Sequence, residues 1–110
     1  MYTVTKEFEI SAAHKLKLHY DSPCTSLHGH NWKIKVTCKS SKLNRNGMVT
    51  DFKLIKKAVQ DKLDHKCLNE VLEFNPTAEN IAKWIYEEIP YCVKVEVQES
   101  EGNVAIYERD

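Results

Sequence analysis

Neither sign of charge dominates this sequence: Lys and Arg together number 16, as do Asp and Glu, so the formal net charge at neutral pH is zero. That balance argues against a dedicated nucleic-acid binder, whose affinity comes mainly from unbalanced positive charge. Long apolar runs are also missing. Lys or Glu breaks each one well short of the roughly 20 residues a membrane-spanning helix needs, so no membrane partner is expected. The first residues, Met1 to Lys6, lack the basic start, apolar centre and small-residue cleavage site of a secretory signal, and a cytoplasmic location is expected. Cys24, Cys38, Cys67 and Cys92 form no Cys-x-x-Cys pair, which removes four-cysteine zinc sites and thioredoxin-type motifs. In a reducing compartment they are expected to be free thiols. With 110 residues, one domain over 1–110 is expected and a two-domain enzyme is excluded. A chain of this size buries only about two-thirds of its unfolded surface and can hardly wall off a deep pocket alone. Subunits are therefore expected to share that task.

What is present is mostly periodic. From Tyr2 to His14, Tyr2, Val4, Phe8, Ile10 and Ala12 occupy even positions with polar residues between them, the period of a half-buried strand. Residues 15–27 have no period and read as a functional loop. Trp32, Ile34, Val36 and Cys38 then alternate with polar neighbours as a second strand, and the segment 39–47 turns out of it. Asp51 stands as an N-cap before Phe52, Ile55, Val59 and Leu63, predicting an amphipathic helix over 52–63. Pro76-Thr77 opens a second helix carrying Ala78, Ile81, Ala82, Ile85 and Ile89, which Pro90 stops. Val93, Val95 and Val97 form a third strand, and Gly102-Asn103 turns it into a fourth over 104–107. The order ββααββ predicts an α+β domain: an antiparallel four-stranded sheet with two helices packed on one face. Its open edges would be protected if several copies closed into a ring of sheets.

The first chemistry lies in His28-Gly29-His30. Side chains at i and i+2 of an extended chain share a side and can hold one ion. Parity places His14 with Ile10 and Ala12, and His28 and His30 with Trp32 and Ile34, so all three rings are expected on one face. Three imidazoles with no fourth protein ligand suit Zn²⁺ and leave a position for water or substrate; lone strand-end histidines otherwise read as surface or core groups. Cys24, in a polar loop four residues before His28, reads as a ligand, a base, a nucleophile or a small buried residue. Cys38, Cys67 and Cys92 sit in or beside apolar patterns and read as buried residues. Asp64-His65 is either an oriented proton-transfer pair or a helix-terminal Asp beside a solvated His. Glu99 continues the parity of Val95 and Val97, where a carboxylate needs a partner such as a ligand with two adjacent N–H donors, or else bends out to solvent.

Together, Ile10-Ser11-Ala12-Ala13-His14, Cys24-Thr25-Ser26-Leu27-His28-Gly29-His30-Asn31, Gly47-Met48-Val49-Thr50-Asp51-Phe52, Leu63-Asp64-His65, Pro76-Thr77-Ala78-Glu79-Asn80 and Gln98-Glu99-Ser100 cover nearly the whole chain. In this order they resemble the 6-pyruvoyl-tetrahydropterin synthase and QueD (6-carboxy-5,6,7,8-tetrahydropterin synthase) group of the tunnelling fold (T-fold). Three residues, Thr25 to Leu27, separate the cysteine from the His-Gly-His motif, a spacing similar to the QueD type. The resemblance implies zinc on His14, His28 and His30, catalysis by Cys24 with an Asp64-His65 relay, and the pterin ring held by Glu99 with help from Thr77. Thr77 would serve equally as a plain helix cap. The resemblance further implies a homohexamer of two stacked trimers, with sheets closed into a barrel and active sites at subunit boundaries. The substrate so implied is 7,8-dihydroneopterin triphosphate, converted to 6-carboxy-5,6,7,8-tetrahydropterin on the way to queuosine. Lys15, Lys17 and Lys66 are candidates for the triphosphate. A 6-pyruvoyl-tetrahydropterin synthase, a broad-specificity pterin side-chain lyase and a non-catalytic zinc-binding assembly domain are the competing readings.

Overall fold

A computed structural model describes residues 1–110. Strand β1 (Tyr2–His14) and strand β2 (His28–Ser40) form one long hairpin whose register runs unbroken from Tyr2 opposite Ser40 to His14 opposite His28. Thirteen residues at a strand rise of about 3.4 Å span about 44 Å, which sets the 50 Å long axis of the molecule. Strand β4 (Cys92–Ser100) pairs antiparallel with β2, and β5 (Asn103–Glu108) with β4. The predicted antiparallel four strands are all present. The structure adds a two-residue strand, β3 (Lys66–Cys67), parallel to β1 beside Ala12 and Ala13, giving the sheet order β3-β1-β2-β4-β5.

Alternation sorts the two faces as expected. Ile10, Ala12, Trp32, Ile34, Val36, Cys38, Val95 and Val97 lie on the buried side. On the other side Glu7, Glu9, Lys33, Lys35, Glu96 and Gln98 border an open groove.

The helix over 52–63, here α1, opens with the Asp51 carboxylate accepting the Lys53 N–H at 2.9 Å. Its middle, Lys56–Gln60, is π-helical between α-turns Phe52–Ile55 and Asp61–Leu63. Ile55, Val59 and Leu63 are spaced by four, and each such step advances about 40° around a 3.6-residue helix. The wider turn reduces that drift and keeps all three against the sheet, where each is fully buried. A short helix, α2 (Leu68–Val71), follows β3 and buries Leu68. In α3 (Ala78–Glu88) the Thr77 hydroxyl accepts the Asn80 N–H at 3.1 Å, and Ile81, Ala82 and Ile85 face the core. The full order is ββαβααββ. One cluster of 19 buried residues joins the helices to one face of the sheet.

Candidate metal centre and active site

The closed end of the hairpin carries the site. His14 and His28 are directly opposite across the strands, and His30 lies one pleat further, opposite Ala12. One donor atom from each of the three comes within 4.8 Å of the others. Beneath them the buried indole of Trp32 meets His14 and His30 edge-on, with ring centroids 4.8 and 5.5 Å away, and donates to the Ala12 carbonyl at 3.1 Å. The alternation reading thus places all three imidazoles together.

Backbone carbonyls aim the rings. His14 Nδ1 lies 2.8 Å from the Pro76 carbonyl, and His28 Nδ1 lies 2.8 Å from the Ser26 carbonyl. A proton held there on each Nδ1 leaves Nε2 as a free electron pair, the arrangement by which metal-ligating histidines are oriented. His14 Nε2 and His30 Nε2 are buried without any hydrogen-bond partner. Such orphaned atoms cost about 1–3 kcal/mol each unless something satisfies them. Burial, foremost, holds the His14 imidazole below its ordinary pKa, with neighbouring His28 and His30 pushing the same way against Pro76 and Glu99. A neutral ring is the form that binds a cation. The donor set therefore fits a divalent metal that accepts nitrogen.

Glu99 also arrives here. Its carboxylate lies 3.4 Å from His30 Nε2 and 3.8 Å from His14 Nε2, so its alternation parity leads to the buried face rather than to solvent.

Other residues singled out in the sequence stand further off. Cys24 lies on the turn Pro23–Thr25, half-buried, and its carbonyl accepts the Leu16 N–H at 2.8 Å, which ties the turn to the chain leaving β1. Its thiol is outside the cluster of donor atoms. Asp64 and His65 are pinned to the edge of β1: the Asp64 carboxylate accepts the Ser11 N–H at 2.8 Å, and the His65 N–H donates to the Ser11 carbonyl at 2.7 Å. His65 takes a left-handed backbone with φ of 59°, an uncommon state for a residue other than glycine. Its ring is exposed, 3.7 Å from the Asp64 carboxylate, and shares a concavity with His30, Ser11, Gly29, Asn31 and Lys66. Ser11, Gly29 and Asn31 alternate along the hairpin with the imidazole-bearing positions, and His30 borders the same concavity. Thr77 caps α3, and its neighbour Pro76 holds His14.

Lys15 and Lys17 border a groove with Asn69 and Asn75, whose side-chain amides each bond the backbone N–H and carbonyl of one lysine. Sequence reading missed these asparagine clamps and the orienting carbonyls of Pro76 and Ser26. The clamps leave one usable signal, an Asn at the border of an aperiodic loop; a carbonyl leaves none.

Comparison with known proteins finds relatives along nearly the whole chain. A family model described as 6-pyruvoyl tetrahydropterin synthase matches residues 3–110. A 6-carboxy-5,6,7,8-tetrahydropterin synthase of Synechocystis is 36% identical over 121 aligned positions, covering 97% of this chain and 93% of that protein. One of Bacillus subtilis is 29% identical, covering 96% and 84%. The structure of Caenorhabditis elegans 6-pyruvoyl tetrahydropterin synthase superposes with a TM-score of 0.77 at 27% identity, over 99% of this chain and 96% of that one. With the matched span running almost from end to end, the chain belongs to the 6-pyruvoyl tetrahydropterin synthase family.

Proposed function

We propose that this protein is a zinc-dependent lyase, a 6-carboxy-5,6,7,8-tetrahydropterin synthase. It would act on 7,8-dihydroneopterin triphosphate and release acetaldehyde and triphosphate, in the cytoplasm and towards queuosine. The observation that carries this reading is the trio His14, His28 and His30, two of whose Nε2 atoms are buried and unpartnered, with the Glu99 carboxylate beside them. The activity for which the Synechocystis and Bacillus relatives are named supports the choice of product.

Zinc, when bound by the three histidines, supplies a Lewis acid to the two side-chain hydroxyls of the substrate. Glu99 accepts the 2-amino and N3 hydrogens of the pterin ring and so aligns the side chain over the metal. Cys24 Sγ, as thiolate, takes the side-chain proton. His65, steadied by Asp64, is the second acid and base. Asp64 and His65, held to the edge of β1 and outside the three-imidazole group, would serve a metal at a subunit boundary. That arrangement fits the expected homohexamer of two trimers, which would also cover β5, where Val104 and Ile106 lie half exposed on the outermost strand. Thr77 uses one lone pair to cap α3 and keeps its O–H to donate to the pterin.

Incubation of the zinc-loaded protein with 7,8-dihydroneopterin triphosphate, followed by mass analysis, tests the reading. The carboxy product with acetaldehyde is expected. Loss of triphosphate without acetaldehyde would favour the pyruvoyl product instead, a reading supported by the likeness to the nematode enzyme.

A further inference from the structure

The β4–β5 ladder slips at one point. Gln98 faces Val104 and Ser100 faces Asn103, so Glu99 has no residue opposite it. A bulge of this kind re-aims a side chain, and here the carboxylate reaches the two imidazole nitrogens that lack partners. An ordinary charge-assisted hydrogen bond would bring one oxygen to about 2.7–2.9 Å of a single nitrogen. Instead the Glu99 oxygens stand 3.4 Å from His30 Nε2 and 3.8 Å from His14 Nε2. Nitrogen and oxygen ligands at 2.0–2.2 Å from one tetrahedral zinc are about 3.3–3.5 Å apart. The carboxylate therefore stands at ligand-to-ligand distance from His30 Nε2 and slightly beyond it from His14 Nε2, a small side-chain movement from a shared ion.

We propose that Glu99 closes the metal site in the substrate-free protein as its fourth ligand, and that the pterin ring draws it away. The proposal rests on the reading given above, that the three histidines hold a divalent metal and that Glu99 takes the ring's N–H pair. Gripping the 2-amino and N3 hydrogens occupies both carboxylate oxygens, so Glu99 cannot hold ring and metal at once. Ring binding and the opening of the fourth coordination position are then one event. Until it happens, water is kept off the metal, and an open position appears only when the substrate's hydroxyls are there to fill it.

The test uses the full chain loaded with Co²⁺, whose visible absorption reports its ligands, and unsubstituted pterin, which has the N–H pair but no side-chain hydroxyls. In Glu99→Gln and Glu99→Ala, Co²⁺ affinity measured against a competing chelator should fall about 10–100-fold, the scale on which altered metal surroundings act, and the visible band should change. Adding pterin to the wild type should move its spectrum toward that of Glu99→Ala. A shift of the wild-type band on adding pterin is itself a readout that needs no variant, so it holds even if the substitutions prevent folding. Variants that match the wild type in affinity and spectrum would overturn the proposal. A lowered affinity with an unaltered band would do so too, since the carboxylate would then act only as a nearby charge. So would bound pterin, seen by its own fluorescence, that leaves the wild-type band unmoved. Each of these failures leaves the three-histidine centre standing. A wild type that takes up no Co²⁺ removes that centre, and the proposal with it.

Discussion

The buried face of the sheet holds metal-ligating side chains at both ends, yet only one end reads as a site. At the closed end of the hairpin, His14, His28 and His30 converge with nitrogens free. At the far end Cys38 and Cys92 face each other across β2 and β4, also buried. There Cys92 donates to the Lys94 carbonyl at 3.7 Å. The neighbouring Cys92 thiol, and then burial, push the Cys38 thiol well above its ordinary pKa, which keeps it protonated and inert. No third ligand joins them in the metal-competent group. Burial and residue type are common to both ends; unsatisfied electron pairs belong to one.

Substitutions at four positions probe that contrast. His28→Ala should have the largest effect, abolishing turnover and bound zinc together, as read by product formation and metal analysis. Zinc retained at one per chain would show that the remaining donors suffice and blur the difference between the ends. Cys24→Ala should lower turnover by about 10²–10⁴-fold, the range for losing a general base, with zinc content unchanged. Full activity in that variant would remove the assigned base. Cys38→Ala should cost about 1–3 kcal/mol in urea unfolding while leaving zinc and turnover per folded molecule as they are. Any loss of metal there would mean that the two ends communicate along β2. Thr77→Ala should cost about 1 kcal/mol through the lost cap, and Thr77→Ser should restore it. A rise in KM for the alanine variant, reversed in the serine one, separates pterin contact from capping alone.

Much of this was legible before the fold. Strict alternation in 2–14 and 31–38 gave both parities, and two parities were enough to bring His14 to His28 and His30. Asp51 and Thr77 marked helix starts because an oxygen-bearing side chain before an apolar period has few other uses. What escaped lacked periodicity or sat in the backbone. Lys66–Cys67 is too short to show an alternation, and its pairing with β1 depends on where α1 delivers the chain. The π-helical segment preserves the same one-in-four pattern that an α-helix would show. The Glu99 bulge is a property of how β4 meets β5, and neither strand announces it alone. The family resemblance suggests roles for Cys24, Asp64 and His65, but the contact between Asp64 and Ser11 follows only from the fold.

The uninterrupted pairing of β1 with β2 has one more consequence. The rung that closes it is His14 opposite His28. If the two strands paired one residue out of step, the side chains of one would exchange faces, and the three nitrogens could no longer meet. Only the hairpin zipped in its native alignment can bind the ion, so metal stabilises that alignment and none of its neighbours. During folding the ion would thus act as a proofreader of strand alignment, before any substrate arrives.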